Sequence, residues 1–248
     1  MNTIRAIYRF FLLVGCLIFH IVCVVFPAIF KGVNPDFTLR VSQVWLGWLL
    51  RQMGLRLDKH DAPPTGPHIF VGNHRAYLDG IIAMTEVRSL PVVKAEMANW
   101  PLVGQGARLT GIIFVKRESK LSRSATLDAM SEALDKGFAV LVYPEGTTHL
   151  QPTTMDFRTG AFNLAVKNGY SIVPMAIDYQ DLGDAWVGDD TFVPHFFRTF
   201  GKKRTYVKIR YGKPIRSGNV EELVASTKAW IDQNMLDIRQ AFESEKTS

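Results

Sequence analysis

Polar and apolar positions follow three rhythms along this chain, and each predicts a different kind of element. From Phe10 to Phe30 (FFLLVGCLIFHIVCVVFPAIF) no position is charged. At 1.5 Å per residue a helix over this stretch reaches roughly 30 Å, the hydrocarbon thickness of a bilayer. Arg5 and Arg9 precede it, Lys31 follows, and no A-x-A type cleavage site appears. The pattern predicts a retained anchor rather than a removed signal peptide. Pro27 predicts an end or a kink, and His20 a neutral histidine facing another helix. In the next stretch, Phe37–Leu57, Arg40, Gln43, Gly47 and Arg51 recur at helical spacing. Val41, Val44, Trp45, Trp48, Leu49 and Leu50 cover the other side. That predicts a helix at a lipid interface with its tryptophans at headgroup depth, or alternatively one packed on the protein's own core.

The third rhythm begins after DAPPTGPH (Asp61 to His68), a Pro/Gly-rich connector that predicts a boundary between a helical segment, 1–60, and a body, 61–248. Short apolar runs predict strands at His68–Gly72, Pro91–Lys94, Gly111–Lys116, Ala139–Tyr143, Ser171–Ile177 and Thr205–Tyr211. Helical patterns fall at Leu78–Arg88, Leu102–Leu109, Ser122–Lys136, Gly160–Asn168 and Val220–Phe242. This alternation predicts an α/β fold with a central, largely parallel mixed sheet flanked by helices. The basic stretch Gly201–Arg216 alternates charged and apolar residues through Tyr206–Tyr211, which predicts a partly exposed strand rather than a nucleic-acid site. The five aspartates between Asp178 and Asp190 lack EF-hand spacing and predict a solvated loop, in which Trp186 is a candidate membrane contact.

Composition narrows the classes. At 248 residues and 47% hydrophobic, the chain is ordered and suits one domain with an appendage, which excludes disorder and a multispanning protein. Its net charge of +6 suits an anionic partner: acidic lipid, nucleic acid or a phosphorylated substrate. Cys16 and Cys23 sit in the apolar stretch and form neither a disulfide framework nor a metal pattern.

In parallel sheets ligands gather beyond the carboxyl ends of the strands, so polar residues there carry the chemistry. The first body strand empties into Asn73-His74, with Asp79 five residues beyond the histidine. Histidine moves protons near neutral pH, and a carboxylate beside it fixes the tautomer. The spacing is wrong for one regular helix. It works if His74 lies in the turn and Asp79 in the first helical turn. In LVYPEGTT (Leu141 to Thr148), Pro144 ends the strand, Gly146 permits close backbone approach, and Glu145 is presented as an acceptor for substrate hydroxyls. Lys94, Lys116 and Arg117 sit at two further strand ends, where cations suit phosphate.

Taken in order, NHxxxxD, GIIFVKR, PEGT and IVPMAI resemble the blocks of the glycerolipid acyltransferase superfamily, most closely its bacterial lysophosphatidic acid acyltransferases. The resemblance runs from about Trp45 to Pro214. It implies His74 and Asp79 as the catalytic pair and Glu145, Gly146 and Thr147 as acceptor-binding residues. Arg117, with Lys94, Lys116 and Arg158, would hold an anionic head group. It further implies transfer of a fatty acyl group from acyl-CoA or acyl carrier protein to the free hydroxyl of lysophosphatidic acid, without metal or cofactor. The implied setting is a bacterial inner membrane with the catalytic body on the cytoplasmic side, and lipid rather than nucleic acid as partner. One position departs: the family's PEGTR carries arginine where this chain has Thr148. That keeps lyso-ornithine and other amino-acid lysolipids open as acceptors. A catalytically idle lipid-binding protein on the same fold and a hydrolase are the rival classes.

Overall fold

A computed structural model describes residues 2–31, 34–99, 112–116 and 119–247. The helix expected over Leu102–Leu109, the first residue of the strand expected from Gly111, and Arg117 lie outside them. The chain runs α1 (Asn2–Lys31), α2 (Pro35–Gln52), β1 (Leu55–Lys59), β2 (Ile69–Gly72), α3 (Leu78–Glu86), β3 (Ser89–Lys94), β4 (Ile113–Val115), α4 (Lys120–Asp135), β5 (Ala139–Val142), α5 (Gly160–Asn168), β6 (Ile172–Tyr179), α6 (Phe192–Gly201), β7 (Thr205–Tyr211) and α7 (Val220–Thr247).

The strands form one sheet in the order β1-β7-β6-β2-β5-β3-β4. From β6 to β4 every pair is parallel; β7 runs antiparallel to β6, and β1 parallel to β7. The sheet is therefore mixed and largely parallel, as the alternation predicts. Strand β2 lies at its centre, buried on both faces, with Val71 opposite Val142 on one side and Pro174 on the other. Its neighbouring residues serve different layers. Ile69 and Val71 join Met130, Leu134, Phe162, Ile231 and Phe242 under α4, α5 and α7. Phe70 joins Leu49, Leu50, Ile82, Phe196 and Phe200 under α2, α3 and α6. At roughly 1.5–3 kcal/mol per large apolar side chain, these layers dominate the stability.

Two expectations fail at the N-terminal side. The helix expected to reach Leu57 stops at Gln52, because Gly54 takes a φ of +87° and turns the chain into β1. That strand pairs residue for residue with β7 from Leu55 opposite Thr205 to Lys59 opposite Ile209. The connector at 61–68 thus does not divide residues 55–59 from the sheet. Of the two outcomes expected at Pro27, an end or a kink, the end is not taken, since α1 continues to Lys31.

Helix α1 is fastened at its start. Arg9, 7% exposed, donates to the carbonyls of Phe200, Lys202 and Lys203 at 2.9, 2.7 and 3.3 Å, and Arg5 to that of Gly201 at 2.8 Å. These arginines satisfy the orphan carbonyls at the end of α6. Further along, His20 stacks on Trp45 and bonds Ser42 of α2 at 3.1 Å. The opposite side is bare and apolar, with Ile4, Tyr8, Phe11, Phe19, Val22 and Phe26 exposed. Helix α2 shares this character at Val44 and Trp48, whereas Leu49 and Leu50 face the core. Its Gln43, expected on a polar stripe, donates to Thr85 of α3. The apolar face expected of α2 is therefore narrower than its sequence implies.

Candidate active site

The site lies beyond the carboxyl end of β2, where Asn73 continues the strand by other means. Its side-chain amide donates to the Ile177 carbonyl at 2.8 Å and accepts from the Ile177 N–H at 2.9 Å. This replaces the next rung of the ladder to β6 and fixes the turn that follows.

Asp79 then folds back over that turn from the first turn of α3. Its Oδ2 accepts from His74 Nδ1 at 2.8 Å and from the N–H groups of Arg75 and Ala76 at 2.6 and 2.8 Å. Its Oδ1 accepts from the Tyr179 hydroxyl at 2.7 Å. Four donors converge on this fully buried carboxyl. It sits at a helix N-terminus, where negative charge is favoured. The five-residue spacing has this physical meaning: His74, Arg75 and Ala76 form the loop that Asp79 closes. Since Nδ1 donates, the Nε2 lone pair of His74 is left for the cleft, and its side chain is 19% exposed. The ring stacks on Tyr143, centroids 4.3 Å apart and 16° between planes. Gly72 makes room for this, since a Cβ there would lie 3.2 Å from the Tyr143 ring. Burial, with Asp79 nearby, pushes the phenols of Tyr143 and Tyr179 well above their ordinary range. Both remain neutral.

Glu145 takes a different place from the one expected. Its side chain is fully buried rather than open to substrate hydroxyls. Oε1 accepts from the His74 N–H at 3.0 Å; Oε2 accepts from the Met155 N–H at 2.7 Å and from His149 Nε2. Gly146, with φ +73°, lines the cleft, and the Arg158 guanidinium packs behind it, where a Cβ would fall 2.9 Å from Nε.

The cleft itself has a volume of about 460 Å³ and is walled by His74, Tyr143, Lys94, Met97, Thr148 and Trp186, with Gly146 and Thr147 on its rim. Lys94 is its one lysine or arginine among the described residues, half-exposed and 3.5 Å from Glu96. Lys116 is exposed at the end of β4 and, like Arg158, is not among the lining residues. Of the expected head-group cations, then, the described structure brings only Lys94 to the cleft. The Thr148 hydroxyl donates to the carbonyl of Trp186, joining two loops.

The aspartate-rich segment is no solvated loop throughout. Asp178 is buried between Arg75 and Arg239, at 3.4 and 2.5 Å, and Asp184 is buried against Lys202 at 2.7 Å. Trp186, a candidate membrane contact in sequence, meets Tyr77 edge-on at 5.0 Å and lines the cleft. Sequence reasoning missed Tyr143, Tyr179, Arg75 and His149. The two tyrosines were reachable, because each ends a run of strand residues on the His74 side of the sheet. The Arg75–Asp178 pair joins distant segments and leaves no local trace.

Among families, the one described as Acyltransferase matches residues 56–178. The chain is 28% identical over 199 residues to a lyso-ornithine lipid O-acyltransferase from Pseudomonas aeruginosa, covering 77% of this chain and 75% of that one. It is 29% identical over 175 residues to human 1-acyl-sn-glycerol-3-phosphate acyltransferase alpha, covering 67% of this chain but only 61% of that one. In fold it resembles the crystal structure of the 1-acyl-sn-glycerophosphate (LPA) acyltransferase PlsC from Thermotoga maritima. The TM-score is 0.73 at 18% identity, over 96% of this chain and 98% of that one.

Proposed function

Because the chain belongs to the glycerolipid acyltransferase superfamily, we propose that it moves a fatty acyl group from a thioester to the free hydroxyl of a lysolipid, with His74 as general base. The observation that carries this reading is the orientation of His74: Nδ1 donates to Asp79 while Nε2 faces an open cleft. His74 Nε2 takes the hydroxyl proton as the oxygen attacks the thioester carbonyl. Asp79, held in place by its other donors, orients the ring and offsets the imidazolium charge. The tetrahedral oxyanion needs N–H donors. Those of Thr147 and Thr148, which line the cleft, donate to no protein acceptor among the described residues. Collapse expels the thiolate, which recovers the proton from His74, so ester and thiol are formed without an acyl-enzyme. No metal or cofactor enters this scheme, and acyl-CoA or acyl carrier protein serves as donor.

For the acceptor, lysophosphatidic acid is the first reading, with Lys94 and Arg117 holding its phosphate. Thr148 in the arginine position, and the similarity to the P. aeruginosa lyso-ornithine lipid enzyme, favour an amino-acid lysolipid as the second. The exposed apolar side of α1, together with Val44 and Trp48, supports membrane association. The test is purified protein in mixed micelles with labelled acyl-CoA, offered each lysolipid in turn. Diacyl product is expected, with lysophosphatidic acid preferred. Product from lyso-ornithine lipid alone selects the second acceptor, and free fatty acid without diacyl product overturns acyl transfer in favour of hydrolysis.

A further inference from the structure

His149 lies one residue beyond the Thr148 departure. It is 8% exposed and no part of the proton path, yet its side chain and its backbone both reach the site. The Gln151 N–H donates to its Nδ1 at 3.1 Å. A backbone N–H has no alternative role, so Nδ1 carries no proton, the imidazole is neutral, and Nε2–H is the donor to Glu145. Glu145 Oε1 in turn receives the His74 N–H. The backbone repeats the connection: the His149 N–H donates to the His74 carbonyl at 3.3 Å, and the His149 carbonyl accepts from Arg75 Nη1 at 2.7 Å. Without the Nε2 donor, Glu145 Oε2 would keep only the Met155 N–H. A buried carboxylate short of donors turns or takes up a proton, and the loop carrying His74 shifts with it.

We propose that His149 is a positioning residue for acyl transfer, a neutral imidazole that donates to Glu145 and thereby fixes the backbone of the general base. The inference rests on the reading of His74 given above. It assigns Glu145 to bracing rather than to substrate binding. The donor need not be an imidazole: a glutamine side chain carries an N–H to nearly the Nε2 position, whereas asparagine is too short to reach Glu145.

The experiment is a kinetic cycle on the full-length protein with lysophosphatidic acid and, in parallel, lyso-ornithine lipid. His149→Asn is expected to lower kcat about 10- to 100-fold, as a displacement near 1 Å does, with the acceptor KM little changed. His149→Gln is expected to recover most of that loss. In a His74→Ala background, His149→Asn should reduce the residual rate no further, because it acts through the imidazole that is gone. Full additivity in that cycle, or equal turnover by the asparagine and glutamine variants, overturns the proposal. Wild-type protein that acylates neither lysolipid overturns the reading of His74 instead, and the two failures are thereby distinct.

Discussion

Two histidine–carboxylate pairs stand at adjacent strand ends, and what separates them is which nitrogen is spent. At the end of β2, His74 gives Nδ1 to Asp79 and keeps Nε2 toward the cleft. Beyond β5, His149 gives Nε2 to Glu145 and has Nδ1 filled by the Gln151 N–H. The acids differ likewise. Asp79 gathers four donors at a helix N-terminus, one of them from an imidazole whose other nitrogen is left free; Glu145 gathers three donors around a loop. Proximity of histidine to an acid thus does not tell the two apart, whereas the nitrogen left facing a cavity does.

The comparison breaks first at its open pair. His74→Ala, which removes the proposed base, and Asp79→Asn, which spoils the tautomer, are each expected to lower kcat by about 10²–10⁴-fold, measured in the same micelle assay. Near-normal turnover by either variant would assign the chemistry elsewhere. A smaller effect sharpens the picture around Asp79. Tyr179→Phe removes one donor of four, so kcat should fall roughly tenfold, the equivalent of about 1.4 kcal/mol. A loss as large as that of Asp79→Asn would mean that the phenol, rather than the backbone N–H groups, holds the carboxylate.

The smallest effect concerns a third histidine, which has no acid partner at hydrogen-bond distance. His195 of α6 is fully buried, bonds the Asp184 carbonyl through Nε2 at 3.0 Å, and leaves Nδ1 without a partner. Burial holds it below its ordinary value of 6.5. The unfolded chain binds that proton more readily, so its contribution is intact above about pH 6.5 and is lost as the pH falls toward the folded value, by at most about 1.4 kcal/mol per pH unit. Urea unfolding at about pH 7.5 and 5.5 should show a steeper loss for wild type than for His195→Gln. Equal slopes would remove His195 as the cause.

How far the sequence could be read follows from how local each feature is. The parallel core strands were legible because a strand buried on both faces, such as Ile69–Gly72, is an apolar run with a polar break at its end. His74 and Asp79 were legible because one loop contains the whole pair. Glu145 was placed at the right strand end, but its burial was not legible, because its partners Met155 and His149 become neighbours only after the chain loops back. Strand β1 was hidden inside a helical pattern, since Leu55 and Leu57 fit both periods and only Gly54 marks the change. Helix α6 was overlooked because Phe192–Gly201 begins beside an aspartate-rich stretch that reads as surface. The aspartates of that stretch, Asp178 and Asp184, are buried by cations from α7, from the loop after β2 and from the end of α6, which no local pattern announces.

The grip of Arg5 and Arg9 on the end of α6 bears on how this protein is best handled at the bench. Deleting α1 to obtain a detergent-free sample would strip four backbone oxygens of their guanidinium partners and lay bare Phe196, which Phe10 covers at 5.7 Å. Helix α6, on which Phe196 lies, also carries His195 against Tyr77 in the cleft wall. A shortened version therefore disturbs the wall of the cleft as well as losing the N-terminal helix. Solubility is better sought by replacing exposed positions such as Phe11, Phe19 and Val22 while leaving both arginines in place.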